Sequence, residues 1–284
     1  MDVTLTDEQQ MMVDSAREFL QASCPLATVR EWEKLPEGYP AQIWARMAEL
    51  GWLGAVYPEA YGGMGLPNLD MTLLMREMGR VALPSPFLAT VLLAGRAVLE
   101  GGTDAQKNDL LPRIAAGELL LSFAFVEASA RPDAATVRTR ARAEDGGYVL
   151  NGTKHFVAFA GQADRMLVVA RTRESDDPEQ GLTMFLLDAH APGIEYVSLG
   201  TLAQQPEAKV MLQDVRVAAG DVVGRVDHAW EVLDPVLQAA TAIVCGYMTG
   251  IAEAAHELGV SYCKERVQYG QPIGAFQAIQ NYLA

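Results

Sequence analysis

Leu119-Leu120-Leu121-Ser122-Phe123-Ala124-Phe125-Val126-Glu127 marks the point where the hydrophobic period of the chain changes. The run is almost continuously apolar, the pattern of a strand covered on both faces. Upstream, apolar residues recur at helical spacing. Thr6 with Gln9, and Thr103 with Gln106, form capping-box patterns, in which each side chain satisfies the other residue's backbone amide. Helices are also expected from about Ala41 to a stop at Gly51, from Asp70 to Arg80, and after Pro84 and Pro86, with Gly117 closing the last. Downstream the period is two. Val137, Thr139, Ala141 and Ala143 oppose Arg138, Arg140 and Arg142, so a strand is expected over 136–143. Asp145-Gly146 and Asn151-Gly152 read as hairpin turns, and 166–170, 183–187, 194–197 and 209–217 as further short strands.

A helical period returns after His228. Leu237, Ala240, Val244, Tyr247, Ile251, Ala255, Leu258 and Tyr262 step by threes and fours, a seam of about seven turns. Gly246 and Gly250 on the same helix predict close backbone packing against a neighbour, and the seam predicts an oligomer. The uncharged span 235–252 contains Gln238, Thr241, Thr249 and two glycines and lacks basic or aromatic anchors. It is expected to be a buried helix rather than a membrane span. The order helices, strands, helices excludes a doubly wound dinucleotide fold. The expected class is multi-domain α+β. A helical domain occupies 1–118, an antiparallel β-barrel or sandwich 119–227, and the start of a C-terminal helical bundle 228–284. No glycine, proline or polar tail ends the last helix, so the bundle reads as incomplete.

The 284 residues include 22 basic and 36 acidic side chains, a formal charge of −14, and half of all residues are apolar. That is material for a core and excludes disorder as the main state. No basic run exists to neutralise phosphates or to dock on an anionic membrane, so neither nucleic acid nor membrane insertion is expected. Cys24, Cys245 and Cys263 are scattered, which argues against a disulfide framework or a zinc knuckle. The four histidines lack metal-ligand spacing, and no G-x-S-x-G elbow occurs. Gly62-Gly63-Met64-Gly65 reads as a structural turn rather than a phosphate loop. Met1-Asp2-Val3-Thr4 has no secretion pattern, so a cytoplasmic location is expected.

The closing stretch Arg266-Val267-Gln268-Tyr269-Gly270-Gln271-Pro272-Ile273, continued by Phe276-Gln277 and Gln280, resembles the acyl-CoA dehydrogenase family. The family pattern there is R-x-Q-F-G-x-x-I followed by F-Q-x-x-Q. Glu49-Leu50-Gly51-Trp52-Leu53-Gly54, Pro58-Glu59 with Tyr61-Gly62-Gly63-Met64-Gly65, Pro84-Ser85-Pro86-Phe87 and 103–118 agree independently. The resemblance implies an FAD-dependent oxidation of an acyl-CoA thioester to the 2,3-enoyl thioester, with electrons passed to an electron-transfer flavoprotein. It also implies a homo- or hetero-tetramer with a homologous chain, acting in fatty acid or steroid side-chain oxidation. Such chemistry requires a carboxylate base and donors to the thioester oxygen. A guanidinium presents a fixed fork to phosphate oxygens. By resemblance, Arg266 faces the flavin pyrophosphate, with Gln268, Tyr269, Phe276 and Gln277 around it, at a site shared with a neighbouring subunit.

In the β-domain the chain departs from the family. Where members read T-E-P-G-A-G-S-D, this chain reads Val126-Glu127-Ala128-Ser129-Ala130-Arg131-Pro132-Asp133, so a flavin-contacting threonine becomes Val126 and a serine becomes Pro132. The W-I-T-N motif becomes Phe156-Val157-Ala158-Phe159. Phe156 retains an aromatic face for the isoalloxazine, whereas Ala158 offers no hydroxyl. The positions of the base and its adjacent arginine in one family branch fall on Ala240 and Thr241; in the other branch the base lies beyond residue 284. Glu231 and Glu253 read as solvated or oligomer-facing carboxylates, and the catalytic base is left unassigned. Two readings remain: a flavoenzyme, or a non-catalytic partner subunit lending residues to a flavin shared across an interface.

Overall fold

The computed structural model describes residues 4–129 and 131–284. Met1-Asp2-Val3, read above for a leader, and Ala130, in the departing loop, lie outside the described residues. Eight α-helices are formed by the described residues: α1 (Asp7–Ser23), α2 (Leu26–Trp32), α3 (Ala41–Glu49), α4 (Asn68–Arg80), α5 (Arg96–Gly101), α6 (Asp104–Ala115), α7 (Trp230–Glu265) and α8 (Gln277–Leu283). A π-helical segment, Leu88–Gly95, runs directly into α5. Both capping boxes form as expected, at the starts of α1 and α6.

The chain divides into two compact units. One comprises the described residues up to Val29, Leu69–Leu83 and Ala242–Ala284. Its centre is the contact between α4 and the later part of α7. A Cβ on Gly246 would lie 2.3 Å from the Thr72 carbonyl oxygen, one on Gly250 1.9 Å from that of Arg76, and one on Gly79 2.0 Å from that of Tyr247. The glycine pair on α7 therefore acts as its spacing predicted. Charge closes the same unit. Arg17 donates twice to the buried Glu77 (2.9 and 2.8 Å), Arg76 twice to Glu253 (2.9 and 2.6 Å), and Arg80 once to Glu253 (3.1 Å). Glu253, read as a solvated or oligomer-facing carboxylate, is half-buried and ion-paired within this unit; the hydrogen bond from Arg76 leads in holding it below the usual carboxylate range.

Among the described residues α7 is the one helix long and apolar enough to cross a membrane. Leu233, Val236, Ala240 and Ile243 are buried, but Met248, Ile251, Leu258 and Tyr262 are exposed. The expectation of a helix buried throughout is corrected: α4 covers the glycine face of its later part, and the opposite stripe stays open.

The second unit comprises Arg30–Asn68 and Pro84–Thr241. It holds β1 (Leu121–Ala124), β2 (Arg140–Glu144), β3 (Gly147–Ala158), β4 (Arg165–Arg171), β5 (Leu182–Asp188), β6 (Ile194–Leu199), β7 (Glu207–Ala218) and β8 (Val222–Val223). They pair in the order β6-β7-β3-β2-β4-β5-β8, with β1 added parallel to β4. The sheet is mostly antiparallel, and β2 meets β4 at a single parallel pair. Its core is built from Leu150, Val157, Val168, Phe185, Val210 and Leu212 with their neighbours.

Two local expectations fail for one reason: distant groups claim the backbone. The ladder of β1 stops at Ala124 instead of running to Glu127. The alternating stretch 136–143 does not pair until Arg140, and Ala134–Thr136 is a 3₁₀ turn. Here the Glu127 carboxylate accepts the amides of Arg138 and Thr139 (2.8 and 2.9 Å). The Arg171 guanidinium donates to the carbonyls of Ala134 and Val137 (3.0 and 3.4 Å). Backbone groups satisfied by side chains have no need of a ladder. Asn151-Gly152 lies within β3 rather than at a turn. A Cβ on Gly152 would meet Thr139 at 2.4 Å, so the glycine serves a close crossing, and the register shifts there. Asp145-Gly146 does turn β2 into β3, with φ of 49° and 77°.

Gly250→Ala is expected to destabilise the protein by about 1–3 kcal/mol, since the new methyl must push α4 and α7 apart. Thermal unfolding followed by circular dichroism measures the loss, with Gly259→Ala, whose added Cβ meets nothing closer than 3.9 Å, as the neutral comparison.

Candidate functional site

The ends of three strands and the first turns of α7 enclose a cavity of about 370 Å³ within the second unit. Val126, Phe156 and Ala158, predicted as cofactor-contacting, all line it, as do Pro132 and Thr241. Positions separated by more than a hundred residues in sequence are thereby gathered around one space. Ala240 is buried beside Thr241. The remaining wall is mainly apolar, with Phe123 and Phe125 from the β1 side and Leu88, Ala89 and Leu93 from the π-helix.

Each wall has a local cause. β3 bulges between Lys154 and Val157, where its register against β7 slips. At the bulge Phe156 takes φ 53° and is 57% exposed, an unusual conformation for a bulky side chain. Left-handed geometry at a non-glycine residue costs about 1–3 kcal/mol and is retained only where its surroundings enforce it. Val157 turns into the core, so its neighbours Phe156 and Ala158 face the cavity. The π-helix is tied on two sides. Thr90 Oγ1 donates to the Leu121 carbonyl (2.8 Å) and accepts the Leu121 amide (3.2 Å), and the Tyr57 hydroxyl donates to the Val91 carbonyl (3.1 Å).

Behind the wall is a buried ion pair. Lys154 Nζ, fully enclosed, donates to Glu127 Oε1 (2.7 Å) and to the Phe125 carbonyl (3.2 Å). The adjacent His155 amide donates to the Val126 carbonyl (2.9 Å). The loop after β1 is therefore pinned to β3 at Phe125, Val126 and Glu127 in turn. Burial pulls the Lys154 ammonium down to about 8, against the charge of Glu127. Burial opposes the Glu127 charge too, but the Lys154 cation, its hydrogen bond and the Thr139 amide hold that carboxylate below its usual range.

Sequence reasoning missed the polar side chains of the cavity: Ser85, Gln205 and Glu207. For Glu207 the one signal is strand phase. Ala208, Val210 and Leu212 are core residues, so Glu207 must point the other way. Glu231, read as a solvated or oligomer-facing carboxylate, is exposed and paired with Arg225 and His228, and the hydrogen bond from Arg225 leads in lowering it. It lies outside the cavity lining.

The other predicted group belongs to the first unit. A hairpin of β9 (Val267–Gln268) and β10 (Gln271–Pro272) turns at Tyr269-Gly270, with φ of 53° and 81°. The Arg266 amide donates to the Tyr262 carbonyl, and its own carbonyl accepts from the Ile273 amide, both at 2.8 Å. The backbone of Arg266 is fixed while its side chain is exposed and, among the described residues, has no ion-pair partner. Gln268 and Gln277 are exposed, and Tyr269 meets Phe276 edge to face with ring centroids 6.2 Å apart. Val126, Phe156 and Ala158 thus form one group, and Arg266, Gln268, Tyr269, Phe276 and Gln277 another.

Three family descriptions match the chain: acyl-CoA dehydrogenase, N-terminal domain, over residues 6–118; middle domain over 122–215; and C-terminal domain over 229–284. The chain is similar to the acryloyl-CoA reductase (NADH) of Anaerotignum propionicum, 33% identical over 290 residues, which span 100% of this chain and 73% of that one. Among solved structures it is similar to butyryl-CoA dehydrogenase from Megasphaera elsdenii, with a TM-score of 0.89 and 30% identity over 100% of this chain and 76% of that chain. A chain of the ChsE4-ChsE5 complex from Mycobacterium tuberculosis gives a TM-score of 0.87 and 25% identity, covering 100% of this chain and 74% of that one.

Lys154→Met leaves the Glu127 carboxylate buried without its cation and is expected to cost about 3–5 kcal/mol in urea unfolding. In the unsubstituted protein the depressed Lys154 value means that the unfolded chain binds more protons between about pH 8 and pH 10.5. The contribution of this group to stability therefore rises with pH across that window, a slope that Lys154→Met should abolish.

Proposed function

The chain belongs to the acyl-CoA dehydrogenase family, and we propose that the cavity framed by Val126, Phe156 and Ala158 receives the flavin of an FAD-dependent acyl-CoA oxidoreductase. Members of this family are FAD-dependent flavoproteins that act on CH–CH bonds. The observation carrying the reading is convergence: Val126, Pro132, Phe156, Ala158 and Thr241, singled out from separate stretches of sequence, line one apolar space.

The lining fits the body of an isoalloxazine ring. The exposed Phe156 ring offers a stacking face, and Phe123 and Phe125 supply apolar edges. The polar edge of the ring finds Ser85, Gln205 and Thr241, because Val126 and Ala158 supply no hydroxyl. When bound, the flavin supplies the two-electron chemistry. The work of this chain is to hold the ring, keep water from the apolar walls, and present Arg266 with its free guanidinium fork to phosphate. Gln268, Tyr269, Phe276 and Gln277 are proposed to frame that phosphate contact. The reaction proposed is α,β-dehydrogenation of an acyl-CoA thioester or its reverse, in a cytoplasmic oligomer with a copy or homologue, with an electron-transfer flavoprotein as redox partner. The division into 1–118, 119–227 and 228–284 is proposed with it.

A second reading has its own observation. The absence of hydroxyls at Val126 and Ala158, and of a carboxylate at Ala240, favours a non-catalytic partner subunit in a hetero-oligomer. Co-expression with a homologous chain separates the two. The enzyme reading expects flavin and acyl-CoA turnover in the chain alone; the partner reading expects them only in the pair.

FAD titration, followed by flavin absorbance, tests the site. Arg266→Ala is expected to weaken binding about tenfold or more, the value of hydrogen bonds to a charged group. Val126→Thr combined with Ala158→Thr is expected to tighten it about fivefold or more, through two restored hydrogen bonds. Unchanged affinity in both variants would remove the flavin from these positions.

A further inference from the structure

Glu207 is the one ionisable side chain among the described residues that line the cavity. It stands directly opposite Ala158 in the β3–β7 ladder, next to the Val157–Ala208 pair, whose side chains are buried in the core. Residues directly opposite each other in an antiparallel pair share a face, so Glu207 and Ala158 both project toward the cavity. One carboxylate oxygen accepts a hydrogen bond from Gln205 Nε2 (3.0 Å); the other has no hydrogen-bond partner among the described residues. Among the described residues no lysine or arginine lines the space. An anionic group thus faces an apolar cavity with a single neutral donor to offset it.

We propose that Glu207 sets the redox bias of the bound flavin, holding its reduction potential down. The inference rests on the reading that the cavity receives the isoalloxazine. A ring stacked on Phe156 and Ala158 lies beside the Glu207 carboxylate, because Ala158 and Glu207 are ladder neighbours on one face. Two-electron reduction adds negative charge to a neutral ring. A fixed negative charge in an apolar, poorly screened space opposes that gain and leaves the neutral form less affected. Gln205 moderates the effect by donating to one oxygen.

The test is the midpoint potential of FAD bound to the full chain, measured by equilibration with reference dyes, after the absorbance spectrum has established that flavin is bound. Glu207→Gln is expected to raise the ratio of reduced to oxidised flavin at least tenfold at a fixed dye potential, about 30 mV for a two-electron couple. Glu207→Asp, which keeps the charge, is expected to stay within threefold of the unsubstituted protein. A Gln variant within threefold of the unsubstituted protein overturns the proposal. So does an Asp variant that shifts as far as the Gln variant, since packing rather than charge would then be responsible. If Glu207→Gln does not fold, Gln205→Met decides: removing the donor should lower the ratio, and an unchanged ratio overturns the proposal. A protein that binds no FAD, either alone or co-expressed with a homologous chain, overturns the site reading and this inference together, whereas bound FAD with an unmoved ratio overturns this inference alone.

Discussion

A lysine and a glutamate sealed from water hold the site together. Lys154 reaches from β3 to Glu127 and to the carbonyl of Phe125, while Glu127 takes two amides from the loop beyond it. Each contact alone is ordinary. Together they leave neither charge free and fix where β1 ends, where β2 begins and which way Val126 and Phe156 face. A buried pair of this kind is not an efficient source of stability compared with hydrophobic packing, because both ions are desolvated. What it provides here is position. The bulge at Phe156 lies one residue beyond His155, whose amide closes the same clamp, so the strained backbone is held by the residues that need it.

The helix contact in the other unit follows a different physical rule. Three glycines let carbonyl oxygens of one helix approach the backbone of the next, and arginine–glutamate pairs cross the seam where the glycines end. Van der Waals contact and charge are used in sequence along one pair of helices. On the opposite side of α7, Met248, Ile251, Leu258 and Tyr262 remain exposed.

Much of this was legible from the chain. Thr6 with Gln9 and Thr103 with Gln106 capped helices as written, because a capping box is settled within four residues. Gly246 and Gly250 announced close packing, because nothing else on a helix face so clearly invites a neighbour. What escaped depended on distant partners. The alternation over 136–143 is the pattern of a strand, yet Glu127 and Arg171 had claimed its backbone groups, and no local window contains that information. Asn151-Gly152 has the composition of a turn, and only the approach of Thr139 reveals why the glycine is there. Around the cavity, Val126, Phe156 and Ala158 were singled out through family resemblance. Glu207 was not, since a glutamate opening a strand looks solvated until its ladder neighbour is known.

The segment Leu88–Gly95 carries a further consequence. A π-helix packs more residues into each turn than an α-helix. Removing a single residue from it would allow a regular α-helix of nearly the same length, but would rotate everything after the cut by about 100° relative to what precedes it. Thr90 and Val91 would then no longer meet Leu121 and Tyr57 together. Across evolutionary time this stretch should accept exchanges of one apolar side chain for another far more readily than a codon gained or lost, and its length is the property inherited most strictly.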